Sequence, residues 1–186
     1  ADEEVLLDGP KLAEGHNYFA IGGTSVSPNN KLLVYGVDTV SRRQYTLKIK
    51  DLTTGEMLED EIPETTGGAV WANDNKTLFY TKKDPVTLRS YRILKHVLGT
   101  AISEDVVVYE ETDEKFNVGV GKTKSDEYIM IGSSSTLSSE TRYIHADEPN
   151  SEFLVIQERE DDHEYSVSHY LDSFYITTNA DGAKNF

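Results

Sequence analysis

NNKLLVYG (29–36), DNKTLFYT (74–81), SDEYIMIG (125–132) and LDSFYITT (171–178) are four versions of one phrase. Each opens on a polar turn and runs into a short apolar stretch rich in β-branched and aromatic residues, the pattern of a hairpin entering a strand. With Asn30, Asn75, Asp126 and Asp172 aligned, the phrase returns after 45, 51 and 46 residues. A repeat of about 40 to 50 residues holding four strands is the size of one β-propeller blade.

The text on either side of the phrase fits that reading. After each of the first three copies comes a longer polar loop, then QYTLKIKD, SYRILKHV or TRYIHADE, then a turn and another strand. QYTLKIKD alternates, with Tyr45, Leu47 and Ile49 on one face and Gln44, Thr46, Lys48 and Lys50 on the other, as a half-buried antiparallel strand should. IKDLTTGEML places Asp51, Thr54 and Gly55 at a tight turn, and SVSPNNK places Pro28 and Asn29 at the first hairpin; these residue types favour turn conformations. LRSYRILKHVLG comes nearest to a helical period, but Tyr91 and Ile93 suit a strand equally well. A β-sandwich also has short strands, yet it does not call for the repeat.

The predicted fold class is all-β: a partial β-propeller of about three and a half four-stranded antiparallel blades. The repeats fall at 20–66, 67–115, 116–162 and 163–186. The last stops at NADGAKNF (179–186), where an apolar residue begins a further strand. A propeller closes into a ring, usually of about four to eight blades. This chain is therefore expected to be a fragment of a larger protein, and its open edges to favour an edge-mediated homodimer.

Composition narrows the chemistry. The chain has 186 residues, 37% hydrophobic and 27% charged, which is globular rather than disordered. No apolar run approaches the roughly 18 residues of a membrane span. The absence of cysteine excludes disulfides, thiolate zinc sites and cysteine nucleophiles in this chain. Acids outnumber bases 33 to 18, for a net charge of −15. That charge repels nucleic acid; it serves either to keep the protein in solution or to attract basic peptides.

Several residues are candidates for function. DDHEYSVSHY (161–170) holds acids and two histidines. On an extended strand His169 would stand roughly 20 Å from His163, too far to share a metal with it or with Asp161. No metal is expected here. The stretch reads as an acidic loop, Asp161, Asp162, His163 and Glu164, leading into a strand in which Tyr165, Val167 and His169 alternate with Ser166 and Ser168. Such a loop is either a solvated surface segment or a guide for a cationic peptide. Arg42 and Arg43 form the second candidate, either as an ion pair within the propeller or as a contact to another domain or a gate on substrate entry. Trp71 is expected in the core, and His96 as a structural histidine with its hydrogen bonds satisfied. Gly22-Gly23-Thr24-Ser25-Val26-Ser27 lacks the second glycine of a Gly-x-Ser-x-Gly nucleophile elbow. No catalytic residue is assigned.

VWANDNKTLFYTKKDPVTLRSYRILKHVLGT, Val70 to Thr100, resembles the propeller of the prolyl oligopeptidase family of serine peptidases, and more narrowly its oligopeptidase B branch. The linked features are Trp71-Ala72-Asn73-Asp74, Pro85-Val86-Thr87-Leu88, His96 with Gly99-Thr100, and Glu104-Asp105 before VVVYEE. The likeness extends upstream through LLDGPKL…LTTGE and downstream to DHEYSVSHYLDSFYITTNADGAKNF, essentially the whole chain. It implies a seven-bladed ring that caps an α/β-hydrolase domain of the same polypeptide. That domain, absent from this chain, would carry a Ser-Asp-His triad and cleave short peptides after Lys or Arg. The resemblance further implies a cytoplasmic enzyme with no metal or organic cofactor. The alternative from another class is a stand-alone propeller that binds a protein partner and has no enzymatic role.

Overall fold

The computed structural model describes residues 3–183. Thirteen strands among the described residues form three antiparallel sheets. The first holds β1 (Ala20–Val26), β2 (Leu32–Asp38), β3 (Tyr45–Asp51), β4 (Met57–Trp71), β5 (Thr77–Lys83), β6 (Ser90–Val97) and β7 (Val106–Glu110), paired in chain order. The second holds β8 (Asn117–Lys122), β9 (Tyr128–Ser134), β10 (Ser139–His145) and β11 (Leu154–Gln157). The third is the hairpin of β12 (Tyr165–Tyr170) and β13 (Ser173–Thr178).

β4 makes two blades out of one sheet. Its first half pairs with β3, Lys50 opposite Met57 and Leu47 opposite Ile62. Its second half pairs with β5, Ala69 opposite Tyr80 and Trp71 opposite Leu78. Between the halves the chain bends through Glu64 (φ 60°) and Gly67 (φ 95°). The same strand is thus the outermost of the first blade and the innermost of the second. The second sheet is a third blade, and the hairpin is the inner half of a fourth. The start of a further strand expected at Phe186 lies outside the described residues.

Apolar layers sit between the blades, and they explain the sequence of each middle strand. Val34, Leu47, Ile49 and Ile62 of the first blade meet Trp71, Leu78, Tyr80 and Leu94 of the second. Phe79 points the opposite way, into a layer with Ala72, Ile129, Ile144 and Ala146. β2 and β5 are therefore buried on both faces, which is why KLLVYGV and KTLFYT read as nearly continuous apolar runs. Tyr128, Tyr143, His169 and Phe174 form the aromatic contact between the third blade and the hairpin. The outward face of the first blade, Leu33, Tyr35 and Val37, is covered by Leu7, Leu12 and Phe19 of the leading segment.

The repeated polar turns lace neighbouring blades together. Asn30, Asn75 and Asp126 all take the left-handed conformation, with φ of 59°, 60° and 61°, which short polar side chains tolerate best. Asn29 N donates to Asn75 Oδ1 (2.7 Å), and Asn73 Nδ2 donates to Asp147 Oδ1 (2.7 Å). In the fourth copy the left-handed residue is Leu171 (φ 52°), one place before the aligned Asp172. The reason is length: Tyr170 pairs directly with Ser173, so only two residues turn the chain.

Candidate functional site

Arg42 and Arg43 stand on a tightly held loop between β2 and β3. The carboxylate of Asp38, itself only 1% exposed, accepts from Val40 N and Arg43 N, both at 2.8 Å. Ser41 and Arg43 take left-handed φ of 61° and 53°. Across the seam Lys83 Nζ donates to Arg43 O (2.9 Å), and Gln44 Nε2 donates to Pro85 O (3.1 Å). Burial and the nearby Arg43 charge hold the Lys83 ammonium below its usual pKa, against the opposing pull of Asp38. Both arginines are exposed, and neither forms an ion pair among the described residues. The ion pair within the propeller that the sequence suggested is thus not found among them.

The acidic stretch is built into a joint. Asp162 N donates to Ser138 Oγ (3.1 Å), and Ser139 N donates to His163 O (3.0 Å), which fixes the loop to the third blade. Asn179 Nδ2 donates to Asp162 O (2.9 Å), while Glu164 N donates to Asn179 Oδ1 (3.0 Å), which fixes it to the hairpin. His163 Nε2 lies 2.9 Å from Thr178 Oγ1, and its Nδ1 is buried without a partner among the described residues. The side chains of Asp161 and Asp162 face solvent. Tyr165, Val167 and His169 turn inward and Ser166 and Ser168 outward, as the alternation predicted. Both candidate loops lie at the end of the blades where inner strands begin, with the second and third blades between them. No hydrogen bond or ion pair joins them among the described residues.

Catalytic geometry is absent from the described residues. The structure pairs one serine with a histidine, Ser125 Oγ with His169 Nδ1 at 2.8 Å. His169 has no carboxylate on its other nitrogen among the described residues, and it packs against Tyr128 and Phe174. It is a seam contact rather than a nucleophile and its base. Ser25 in β1 accepts Trp71 Nε1–H at its backbone oxygen (3.0 Å). No three metal-ligating side chains cluster among the described residues, and no helix there is long and apolar enough to cross a membrane.

Two buried charge networks went unseen in the sequence. Glu111 accepts from Arg159 Nη2, Ser133 Oγ (2.6 Å), Tyr109 OH (3.0 Å) and Asp113 N (3.0 Å). Burial pushes its pKa up, but the Arg159, Ser133 and Asp113 hydrogen bonds outweigh that and bring it down to about 2. Arg159 also lies over the Phe116 ring at 3.5 Å. The other network surrounds His96, whose ring nitrogens meet Asp105 and Asp60. Each network joins residues far apart in sequence, so no spacing announces it. Between β8, β9 and β12 the structure also leaves a cleft of about 760 Å³, floored by Gly119, Gly121 and Gly132 and walled by Tyr165, Val167 and His169.

Radially ordered four-stranded units, apolar seams and laced inner turns define a β-propeller domain. Comparison with known families matches residues 1–186 to "Prolyl oligopeptidase, N-terminal beta-propeller domain". The chain belongs to the prolyl oligopeptidase family and represents that domain. It is 47% identical over 186 residues to dipeptidyl aminopeptidase BI of Pseudoxanthomonas mexicana, covering 100% of this chain and 26% of that protein. It is 35% identical to protease 2 of Moraxella lacunata, covering 100% of this chain and 27% of that one. Among solved structures, oligopeptidase B from Leishmania major superposes with a TM-score of 0.91 at 29% identity, over 96% of this chain and 25% of that one. Oligopeptidase B from Trypanosoma brucei gives 0.88 at 28%, over 97% and 25%. The chain thus spans about a quarter of the length of these relatives.

Proposed function

We propose that this domain is the non-catalytic, substrate-gating cap of a serine oligopeptidase that cleaves short peptides after Lys or Arg. The supporting observation is likeness over the whole chain to peptidases about four times its length. The chemistry would then sit on an α/β-hydrolase domain of the same polypeptide: serine attack, histidine as base, and an oxyanion hole. The cap contributes by admitting small substrates and excluding folded ones. The net charge of −15 suits attraction of cationic peptides, and Asp161, Asp162, His163 and Glu164 are the residues assigned to guide them. Arg42 and Arg43, on a loop whose backbone is held at Arg43 by Asp38 and Lys83 and without an ion-pair partner among the described residues, are assigned to contact the second domain.

The name of the 47% identical relative supports a second reading, removal of dipeptides from a free N-terminus. One assay separates the two. Full-length protein is given a peptide with an internal arginine, with its N-terminus either free or acetylated. Cleavage after arginine in both forms supports the oligopeptidase; cleavage of the free form alone, two residues in, supports the dipeptidyl peptidase. No cleavage of either sinks both. In an active enzyme, Arg42→Ala/Arg43→Ala should lower kcat/KM by about tenfold or more with little change in stability. Equal losses of both would assign the pair to folding instead.

A further inference from the structure

His96 in β6 is 0% exposed, and each of its ring nitrogens faces a carboxylate. Nδ1 lies 2.6 Å from Asp105 Oδ1, and Nε2 lies 3.0 Å from Asp60 Oδ1. An ionised carboxylate can only accept. Both contacts are therefore hydrogen bonds only when both ring nitrogens carry protons, which makes the ring an imidazolium. The carboxylates are as enclosed as the ring, with side chains 6% exposed at Asp60 and 1% at Asp105. Asp105 Oδ2 accepts from Tyr80 OH (2.8 Å), and Asp60 Oδ1 accepts from Gly99 N (2.7 Å). β4 supplies Asp60, β5 supplies Tyr80 and the turn after Ile102–Glu104 supplies Asp105. No lysine or arginine pairs with either carboxylate among the described residues, so the ring is the only cation between them.

The position of this cluster gives it a mechanical role. Asp60 belongs to the half of β4 that closes the first blade; His96, Tyr80 and Asp105 belong to the second. The bend at Glu64 to Gly67 ties the two blades at one end of their seam, and elsewhere the seam combines apolar packing with neutral or singly charged hydrogen bonds such as Asn29 to Asn75 and Lys83 to Arg43 O. We infer that Asp60, His96 and Asp105 form a proton-dependent latch, which holds the first two blades together while the imidazole is charged and loosens when the proton leaves. A neutral ring would leave two buried carboxylates facing each other with one lone pair aimed at an oxygen.

The sign of the pH dependence follows from the geometry. Burial pulls the His96 pKa down, but the hydrogen bonds to Asp105 and Asp60 outweigh it and set the folded value above the ordinary 6.5. The stabilisation is complete below the unfolded pKa and is lost as pH rises through the folded one.

Hydrogen–deuterium exchange of the full-length protein, corrected for intrinsic rate and followed from about pH 6 to about pH 10, reads the latch directly. The amide of Gly99 and the segment 57–64 should lose protection by about tenfold for each unit by which the pKa is raised. Asp60→Asn keeps an acceptor for His96 and Gly99 but removes one charge, and should move the midpoint down by about one unit. His96→Gln should abolish the pH dependence. Protection that does not vary with pH in the wild type overturns the latch, and so does an unchanged midpoint in Asp60→Asn. If His96→Gln fails to fold, the Asp60→Asn result decides alone.

Discussion

Gly36 and Gly132 each close a copy of the repeated phrase, NNKLLVYG and SDEYIMIG, and they occupy the same place in their blades. A Cβ added to Gly36 would stand 2.3 Å from Gly67 O and 2.6 Å from Gly67 Cα. A Cβ added to Gly132, or to its register partner Gly119, would meet nothing within 4 Å. In the first two blades backbone lies directly on backbone, and only glycine permits that approach. In the third blade the glycines leave the floor of a cleft bare. One residue type at one repeat position thus marks a tight seam in one region and an open one in another.

The joint between these regions should be the most sensitive to change. Glu111 ends the second blade and Arg159 leads out of the third. Glu111→Ala leaves the Arg159 guanidinium over Phe116 without its carboxylate, and should cost about 3 to 5 kcal/mol in urea denaturation. Acid should act on the same contact. The folded pKa of Glu111, about 2, lies below its ordinary 4.5, so the stabilisation is present above about pH 4.5 and is lost as pH falls toward 2. A Glu111→Gln protein with an unchanged acid limb would show that other carboxylates govern it.

Within the tight seam, Gly36→Ala should cost about 3 kcal/mol, because the clash is with main chain that cannot rotate away. The same substitution in the open seam, Gly132→Ala, should be neutral or stabilise by about 0.5 to 1 kcal/mol, since it only restricts the unfolded chain. Equal losses at the two positions, measured as shifts of the urea midpoint at constant slope, would break the comparison.

Much of this fold can be read from the sequence, and the rest is hidden for definable reasons. The second strands of the first two blades announce themselves because apolar and aromatic residues fill both faces, as in Leu33 to Val37 and Leu78 to Tyr80, and the third strand of the first blade does so by the alternation of QYTLKIK. The inner strands AIGGTSV and NVGVGK do not. They are rich in glycine, which lowers strand propensity, and they are extended because neighbouring blades hold them so. The shared strand β4 was equally hidden, since PETTGG looks like a loop until its pairing partners are known. The acidic loop at 161–164 is legible as a loop before a strand, but its binding through Ser138, Ser139 and Asn179 depends on residues remote in sequence. His96 reads as structural from its setting in a strand; Asp60 lies 36 residues away from it and nothing in the sequence links them.

β4 also constrains how such a protein can change over generations. Repeats are gained or lost where a chain can be cut and rejoined without dividing a strand between two owners. Loops separate β7 from β8 and β11 from β12, and a crossover there would deliver a whole blade. Between the first and second blades the uninterrupted strand Met57–Trp71 removes that choice. Descent can shuffle the later blades one at a time, but it must inherit the first two as a pair.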